Sequence, residues 1–168
     1  MNYWDLQDEK KVIYLKKFLL SFKYAFEGLW YCIKTQRNFR FHTAAALTAF
    51  LLSQKYDLSG SEKLILMFTI VFVLMSEMLN TALEAVVDMT SKEYNSFAKI
   101  AKDVCAGAVL ISAIAASLTG IILFYDNGNF WYILFDYIKN PLFWLYALIC
   151  IIYISGIIFK FGGKTSDK

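Results

Sequence analysis

Uncharged apolar runs constrain this chain more than any other feature. Val104 to Tyr125 contains 22 residues without a charge, Pro141 to Phe159 contains 19, and Leu64 to Ser76 contains 13. A helix that crosses a bilayer needs about 20 predominantly apolar residues. The chain is 58% hydrophobic, and these blocks predict an all-α integral membrane protein. We expect four transmembrane helices, at about residues 41–56, 62–87, 103–125 and 141–159.

The lysines and arginines are distributed unevenly around these predicted spans. Fourteen lie before the first span, between the second and third, or after the fourth, whereas three lie in the other two loops. Cytoplasmic loops carry the excess of positive charge. We therefore expect a multi-pass protein of the cell inner (plasma) membrane with both termini in the cytoplasm. The net charge is only +3, and no nucleic-acid partner is expected.

The chain divides into three segments by composition. Residues 1–9 are polar and are predicted to be a flexible N-terminus. Residues 10–125 form the main unit, which begins with a helix rich in lysines and aromatic residues. Such an amphipathic helix is typical of the membrane surface. Residues 126–168 are predicted to contain an outer loop, the fourth transmembrane helix and a cytoplasmic tail.

A row of polar side chains interrupts the second predicted span. Glu77, Asn80, Glu84 and Asp88 lie in this segment, and the three carboxylates fall within roughly 40° of one another on a helix. Each would cost at least ~2–3 kcal/mol if it met lipid at mid-depth. The row must therefore face inward, toward a cation, a proton path or a polar substrate. We take it as the candidate functional site.

The neighbourhood of this row allows three interpretations. Lys102 and Asp103 begin the third span, and a short loop returns them to the membrane level of Asp88. Carboxylates beside a phosphate-bearing ligand suit Mg²⁺, a lysine offsets phosphate charge, and Glu77 could accept a proton from a lipid hydroxyl. Rows of intramembrane carboxylates also mark proton or cation transport. Spacing alone leaves lipid chemistry, transport and a structural polar seam open.

Two spaced motifs resemble a known family. They are Glu-Met-Leu-Asn-Thr-Ala-Leu-Glu-Ala-Val-Val-Asp at 77–88 and Ala-Lys-Asp at 101–103 followed by Ala-Gly-Ala-Val-Leu at 106–110. Together they resemble the prokaryotic diacylglycerol kinases, which are small membrane lipid kinases unrelated to soluble kinases. Residues 35–42 look like the Gram-positive branch, whose members mainly phosphorylate undecaprenol. The similarity covers about residues 12–125.

The resemblance implies an architecture and an activity. Family members are homotrimers with a surface helix and three spans per chain, and their active sites are shared between neighbouring subunits at the cytoplasmic face. They use Mg²⁺ and ATP. The implied reaction is transfer of the γ-phosphate of ATP to the hydroxyl of a membrane lipid, with undecaprenol favoured over diacylglycerol. The fourth span lies beyond the family core, and we expect it to pack outside the trimer without a chemical role.

The resemblance also assigns catalytic and metal-binding residues. Glu77 matches the catalytic base, and Asn80 is assigned to the catalytic group beside it. Glu84 matches a metal ligand. Gln36 stands where the family usually has a glutamate that helps bind the metal. An amide oxygen can coordinate Mg²⁺ without contributing charge, so we expect weaker metal binding or lower activity.

The remaining assignments concern the two substrates. Trp30 and Asn38 match positions where the family contacts its lipid. His42, the one histidine in the chain, is expected to be structural or interfacial rather than catalytic. The residues assigned to nucleotide binding are Lys17, Tyr24, Glu84, Asp88, Glu93, Tyr94, Asn95, Lys102 and Asp103.

Overall fold

The structure is a computed structural model that describes residues 3–90, 95–125 and 130–156, with side chains from residue 14 onward. These residues form α-helices joined by short connections, which confirms the all-α prediction. The helices are α1 (Tyr3–Thr35), α2 (Arg37–Ser53), α3 (Gly60–Thr90), α4 (Ser96–Tyr125), α5 (Phe130–Lys139) and α6 (Pro141–Ser155).

Each of the four predicted spans coincides with one helix, but the helices differ in length. Among the described residues, α3 and α4 are long and apolar enough to cross a membrane. Helices α5 and α6 meet the same criterion only as a pair, and they are bent by 86°. Helix α2 has 17 residues and α6 has 15, or about 25 and 22 Å of rise. Length and composition therefore give two candidate spans, or three with the bent pair.

Local sequence explains where the long helices begin. Ser59 and Glu62 form a capping box before α3, in which the Ser59 backbone N–H donates to Glu62 Oε2 at 2.7 Å and the Glu62 N–H donates to Ser59 Oγ at 3.3 Å. This exchange satisfies two otherwise unpaired donors of the first turn. Asn140 caps α6 in a related way, because its side chain accepts from the Leu142 N–H at 2.9 Å ahead of Pro141.

Helix α5 lies where the sequence predicted an outer loop. Phe130 and Ile133 pack against a buried apolar cluster, and the Tyr137 hydroxyl donates to the Leu51 carbonyl oxygen at 3.1 Å. Burial of one apolar face stabilises a helix too short to be stable in isolation. The expected turn at 126–129 falls outside the described residues. The cluster that receives α5 consists of Tyr56, Leu58, Leu66, Leu123 and Phe124.

Helix α2 is packed on two opposite faces. One face, which includes Ala46 and Ala49, lies toward α3 and α4. The other face contacts α6 through two hydroxyl pairs, in which Thr43 Oγ1 is 2.9 Å from the Tyr153 hydroxyl and Thr48 Oγ1 is 2.8 Å from the Tyr146 hydroxyl. The fourth predicted span is therefore bound to α2 of its own chain.

Helix α1 is the least packed element with described side chains. Its side chains from Tyr14 to Tyr31 are all exposed, and close packing begins at Cys32. The helix already begins at Tyr3, within the segment expected to be flexible. Aromatic residues such as Phe18 and Phe22 remain uncovered by the chain's other described side chains. An apolar helix surface of this kind requires a membrane or another subunit to cover it.

Candidate functional site

The polar row of α3 changes steadily in exposure along the helix. Glu77 is buried, with 3% of its surface exposed. Asn80 and Glu84 are partly buried, and the Asp88 side chain is 68% exposed. The row therefore leads from the apolar interior to the surface within three turns of helix. The row thus offers one carboxylate sheltered by neighbouring helices and another at the protein surface.

Residues from α1 and α3 surround the buried end of the row. The Cys32 thiol lies near the end of α1, within hydrogen-bonding reach of the Thr81 side chain. It is also close enough to Glu77 for the carboxylate charge to affect its pKa. Burial raises the pKa of the Cys32 thiol above its usual value, the hydrogen bond with Thr81 opposes this, and the Glu77 charge adds to it. The Thr81 hydroxyl in turn donates to the Glu77 carbonyl oxygen at 2.9 Å.

His42 of α2 completes this end of the site. Its Nε2 atom is 3.3 Å from Glu77 Oε1, and its side chain is 18% exposed. The two atoms are close but do not form a hydrogen bond, and Oε1 has no hydrogen-bond partner within the described part of the chain. His42 also lines a groove of about 220 Å³ between α2, α3 and α4. His42, which was predicted to be structural or interfacial, thus lies beside Glu77.

Asn80 and Glu84 form the middle of the site. The Asn80 Nδ2 group donates to Glu84 Oε1 at 2.9 Å, while Asn80 Oδ1 is buried and has no partner among the described residues. This leaves one oxygen of each side chain available to a ligand. No group of three or more His, Cys, Asp or Glu side chains suited to a metal occurs in the described ranges. The described part of one chain therefore does not form a complete metal-binding cage here.

The exposed end joins α3 to α4. Lys102 Nζ donates a short hydrogen bond to Asp88 Oδ1, and both side chains are accessible to water. This contact confirms that the loop returns Lys102 to the level of Asp88. Asp103 follows it on the exposed side of α4. The sequence-predicted row and the start of the third span are therefore brought together as expected.

Two of the predicted site residues lie at the starts of helices. Asn95 caps α4, because its Oδ1 accepts from the backbone N–H groups of Phe97 at 2.9 Å and Ala98 at 3.4 Å. Gln36 is the extended residue before α2, and its side chain makes no capping hydrogen bond. The amide of Gln36 is therefore not used by the helix that it precedes.

Other predicted residues lie away from the row or outside the description. Lys17, Tyr24 and Trp30 are exposed on α1, and Asn38 is exposed in the first turn of α2. These side chains therefore do not form a closed site around Glu77 and Glu84 within one chain. Glu93 and Tyr94 fall outside the described residues.

Sequence reasoning missed Cys32 and His42 as neighbours of Glu77. Glu77 is 45 positions from Cys32 and 35 from His42, and the three residues lie on three different helices. The available signal was that residues 35–42 form a compact motif with one histidine just before an apolar helix. That motif marked the segment, but it did not indicate which residue of α3 the histidine would meet.

Sequence similarity relates this chain to a known family. The sequence model of the prokaryotic diacylglycerol kinase family matches residues 23–124, which include α2, α3, nearly all of α4 and the end of α1. The chain belongs to the prokaryotic diacylglycerol kinase family. The match contains the whole polar row and ends before α5. Helices α5 and α6 therefore lie beyond the family's shared unit.

Three relatives illustrate this membership. The diacylglycerol kinase of Synechocystis sp. is 46% identical over 103 residues, covering 61% of this chain and 59% of that protein. The undecaprenol kinase of Bacillus subtilis is 37% identical over 110 residues, covering 66% and 89%. The diacylglycerol kinase of Escherichia coli is 33% identical over 104 residues, covering 62% and 85%. The chain thus matches little more than half of its Synechocystis relative and most of the other two.

The names of the family and of these relatives define an enzyme class. The named proteins are lipid kinases, which are phosphotransferases with an alcohol acceptor. Kinases of this kind use ATP as the phosphate donor. Together with the two long apolar helices, family membership identifies a membrane protein. The names differ in the lipid, since two are diacylglycerol kinases and one is an undecaprenol kinase.

Proposed function

We propose that this chain is an ATP- and Mg²⁺-dependent kinase that transfers the γ-phosphate of ATP to the hydroxyl of a membrane lipid. The observation that carries the proposal is the increase in exposure along the polar row of α3, from buried Glu77 to exposed Asp88. A lipid hydroxyl can approach the buried end from the bilayer, while a water-soluble nucleotide approaches the exposed end. Family membership supports the same reaction.

Glu77 is the proposed catalytic base. Its carboxylate is buried, and Oε1 has no hydrogen-bond partner among the described residues. Phosphoryl transfer depends mainly on positioning and on stabilisation of charge. In the proposed step, Glu77 takes the proton of the lipid hydroxyl. The hydroxyl oxygen bonds to the γ-phosphorus of ATP, and the bond between that phosphorus and ADP breaks. Asn80 supports this step by holding Glu84 in place.

Glu84 is the proposed ligand of Mg²⁺. Magnesium is usually bound by one or two carboxylates together with waters and phosphate oxygens, so three acidic side chains are not required. Glu84 fits this pattern because Asn80 holds one of its oxygens and the other remains available. Bound Mg²⁺ would supply positive charge to the phosphate oxygens. Gln36, whose amide is not used in capping, is proposed as a weaker second ligand.

Lys102 and Asp88 are proposed to contact the nucleotide. Their ion pair is accessible to water, and such pairs are easily exchanged because they contribute little to stability. Lys102 can therefore turn from Asp88 to a phosphate oxygen when ATP binds, and charge-assisted hydrogen bonds of this kind are strong. The other proposed nucleotide contacts are Lys17, Tyr24, Glu84, Glu93, Tyr94, Asn95 and Asp103.

We propose a homotrimer in which neighbouring subunits share each active site. Cys32 lies beside the row of its own chain, but Tyr24 and Lys17 lie about 12 and 22 Å further along α1. Both side chains are exposed. An arrangement in which α1 reaches a neighbour's row would bring these residues to a nucleotide and would cover the bare apolar surface of α1.

Undecaprenol is the proposed lipid, with diacylglycerol next. The support is the motif at residues 35–42 together with the undecaprenol kinase of Bacillus subtilis among the relatives. Trp30 and Asn38, both exposed near the α1–α2 junction, are the proposed lipid contacts. Diacylglycerol is the second candidate because the Synechocystis relative is a diacylglycerol kinase.

The proposed topology has four spans in the cell inner (plasma) membrane, with both termini in the cytoplasm. The unit at 10–125 carries the kinase, and 126–168 adds the outer segment, the fourth span and a cytoplasmic tail. Arg40 at the start of α2 donates to the Ile154 carbonyl oxygen at the end of α6. This contact supports a topology in which those two helix ends share one side of the membrane.

A side-by-side lipid assay tests this proposal. The purified full chain is mixed with undecaprenol or diacylglycerol in the same detergent micelles, with radiolabelled ATP and Mg²⁺. We expect label in the lipid phase with both lipids, faster with undecaprenol, and loss of transfer when Mg²⁺ is chelated. Absence of transfer to both lipids would contradict the proposed kinase activity. Ion or proton flux in liposomes without ATP would favour a transport role for the same carboxylates.

A further inference from the structure

We propose that His42 is a positioning residue for the carboxylate of Glu77. The imidazole holds one carboxylate oxygen, and the second oxygen is thereby left to receive the proton of the lipid hydroxyl. This inference rests on the proposed function, because it assigns a supporting partner to the proposed base. It concerns a residue whose predicted role was structural or interfacial.

The first argument is the unsatisfied oxygen of Glu77. Oε1 is buried and has no hydrogen-bond partner within the described part of the chain, and an unpaired buried acceptor costs free energy. The Nε2 atom of His42 is 3.3 Å away but does not complete a hydrogen bond to it. Catalytic hydrogen bonds are often long or poorly aligned without substrate and tighten in the complex. A small rotation of the imidazole ring would complete this one.

The second argument is that each of the other polar neighbours makes a contact elsewhere. The Thr81 hydroxyl donates to the backbone carbonyl of Glu77 rather than to its carboxylate. The Cys32 thiol lies within hydrogen-bonding reach of the Thr81 side chain. Asn80 donates to Glu84. Among the described residues, His42 is therefore the neighbour best placed to donate to Oε1.

The third argument is that α2 holds His42 firmly. The preceding residue, Phe41, makes an edge-on contact with the imidazole at 5.6 Å between ring centres. The following residue, Thr43, bonds to Tyr153 of α6, and Arg40 is anchored to backbone carbonyls of α1 and α6. A side chain flanked by such contacts keeps its place when the carboxylate changes charge, which is what a positioning residue requires.

This role requires a proton on Nε2 of His42. A neutral imidazole with its proton on Nε2 donates to Oε1 and leaves Glu77 able to accept a proton. In the transfer step the hydroxyl proton moves to the other oxygen of Glu77, and His42 keeps its own proton. His42 therefore supports the base without contacting the lipid, the nucleotide or the metal.

The test compares three variants of the full chain. His42→Phe keeps a flat ring but removes the donor, His42→Asn keeps a donor, and Ser76→Ala removes a hydroxyl that bonds within its own helix beside Glu77. We expect His42→Phe to lower kcat about 10- to 100-fold, because small misplacements of a catalytic group have effects of this size. The KM values for ATP and lipid should stay within twofold. His42→Asn should recover part of kcat, and Ser76→Ala should match the wild type.

A double-mutant cycle in thermal unfolding separates this inference from the kinase proposal. His42→Phe and Glu77→Gln are measured alone and together, and non-additive shifts of the unfolding midpoint would establish the contact whether or not the protein phosphorylates lipid. Additive shifts would overturn the inference. A wild-type kcat in His42→Phe would also overturn it, as would His42→Asn being no more active than His42→Phe.

Discussion

The guanidinium of Arg40 donates a hydrogen bond to the carbonyl oxygen of Ile154, 114 residues later in the chain, at 3.3 Å. The same side chain donates to the carbonyl oxygens of Ile33 at 2.9 Å and Lys34 at 3.2 Å. Arg40 thus satisfies carbonyls at the ends of both α1 and α6, which helices otherwise leave unpaired. The C-terminal helices, though beyond the family match, are tied to the segment that carries the candidate site.

Gly156 provides the first prediction, because it ends α6 in the left-handed conformation with a φ of 67°. A Cβ atom there would lie 2.7 Å from an Arg40 guanidinium nitrogen. We expect Gly156→Ala to destabilise the protein by about 1–3 kcal/mol through backbone strain and displacement of Arg40. Scanning calorimetry in detergent measures this. Gly107→Ala is the control, since a Cβ there meets nothing within 4 Å, and a midpoint no lower than the wild type is expected for it.

A second prediction concerns the hydroxyl pairs between α2 and α6. Tyr146→Phe removes the partner of Thr48 at 2.8 Å and should lower the free energy of unfolding by about 0.5–1.5 kcal/mol. Tyr132→Phe removes a hydroxyl from a tyrosine that is 76% exposed and should have no effect. Chemical denaturation of both variants gives the comparison. Equal stability of the two would argue against a structural contact between α6 and α2.

A third prediction concerns Lys102 at the exposed end of the row. Lys102→Met should lower kcat/KM for ATP at least tenfold, because it removes the charge proposed to meet the phosphates. Its stability should change by less than about 1 kcal/mol, since the pair with Asp88 is accessible to water. Lys99→Met, which removes an exposed lysine one turn earlier on α4, is the control. Equal ATP kinetics in the two variants would remove Lys102 from the nucleotide site.

A fourth prediction concerns the proposed weak metal ligand. Gln36→Glu adds a carboxylate where the side chain makes no capping bond, and Mg²⁺ favours charged oxygen ligands. We expect the Mg²⁺ concentration for half-maximal activity to fall several-fold, measured by titration at saturating ATP. Gln54→Glu, at the opposite end of α2, should leave that concentration unchanged. An unchanged Mg²⁺ requirement in Gln36→Glu would mean that residue 36 does not bind the metal.

Local patterns were sufficient to predict the long helices and the row. The uncharged runs predicted α3 and α4, and the spacing of Glu77, Glu84 and Asp88 predicted one polar face. The contact between Asp88 and Lys102 was also predictable, since a short loop must return the chain to the same level. These features depend on residues close together in the sequence, where helical geometry fixes the relation.

Contacts between distant segments were not predictable in this way. His42 and Glu77 are 35 positions apart, and no periodicity specifies which faces of α2 and α3 will meet. Arg40 counted only as one of many basic residues, although its main contacts are backbone carbonyls from two other helices. The sequence does not predict helix α5, because part of its stability comes from packing on residues such as Tyr56 and Leu66, which are distant along the chain. Asn95 was assigned from resemblance, which did not predict that it would cap α4.

The most direct test of the account is the initial rate of phosphate transfer to lipid by Glu77→Gln. This change keeps the size of the side chain but removes the proton acceptor at the buried end of the row. We predict a rate 10²- to 10⁴-fold below the wild type, the usual contribution of a general base. Glu27→Gln on exposed α1 should retain full activity. Wild-type transfer by a folded Glu77→Gln protein would contradict the central claim.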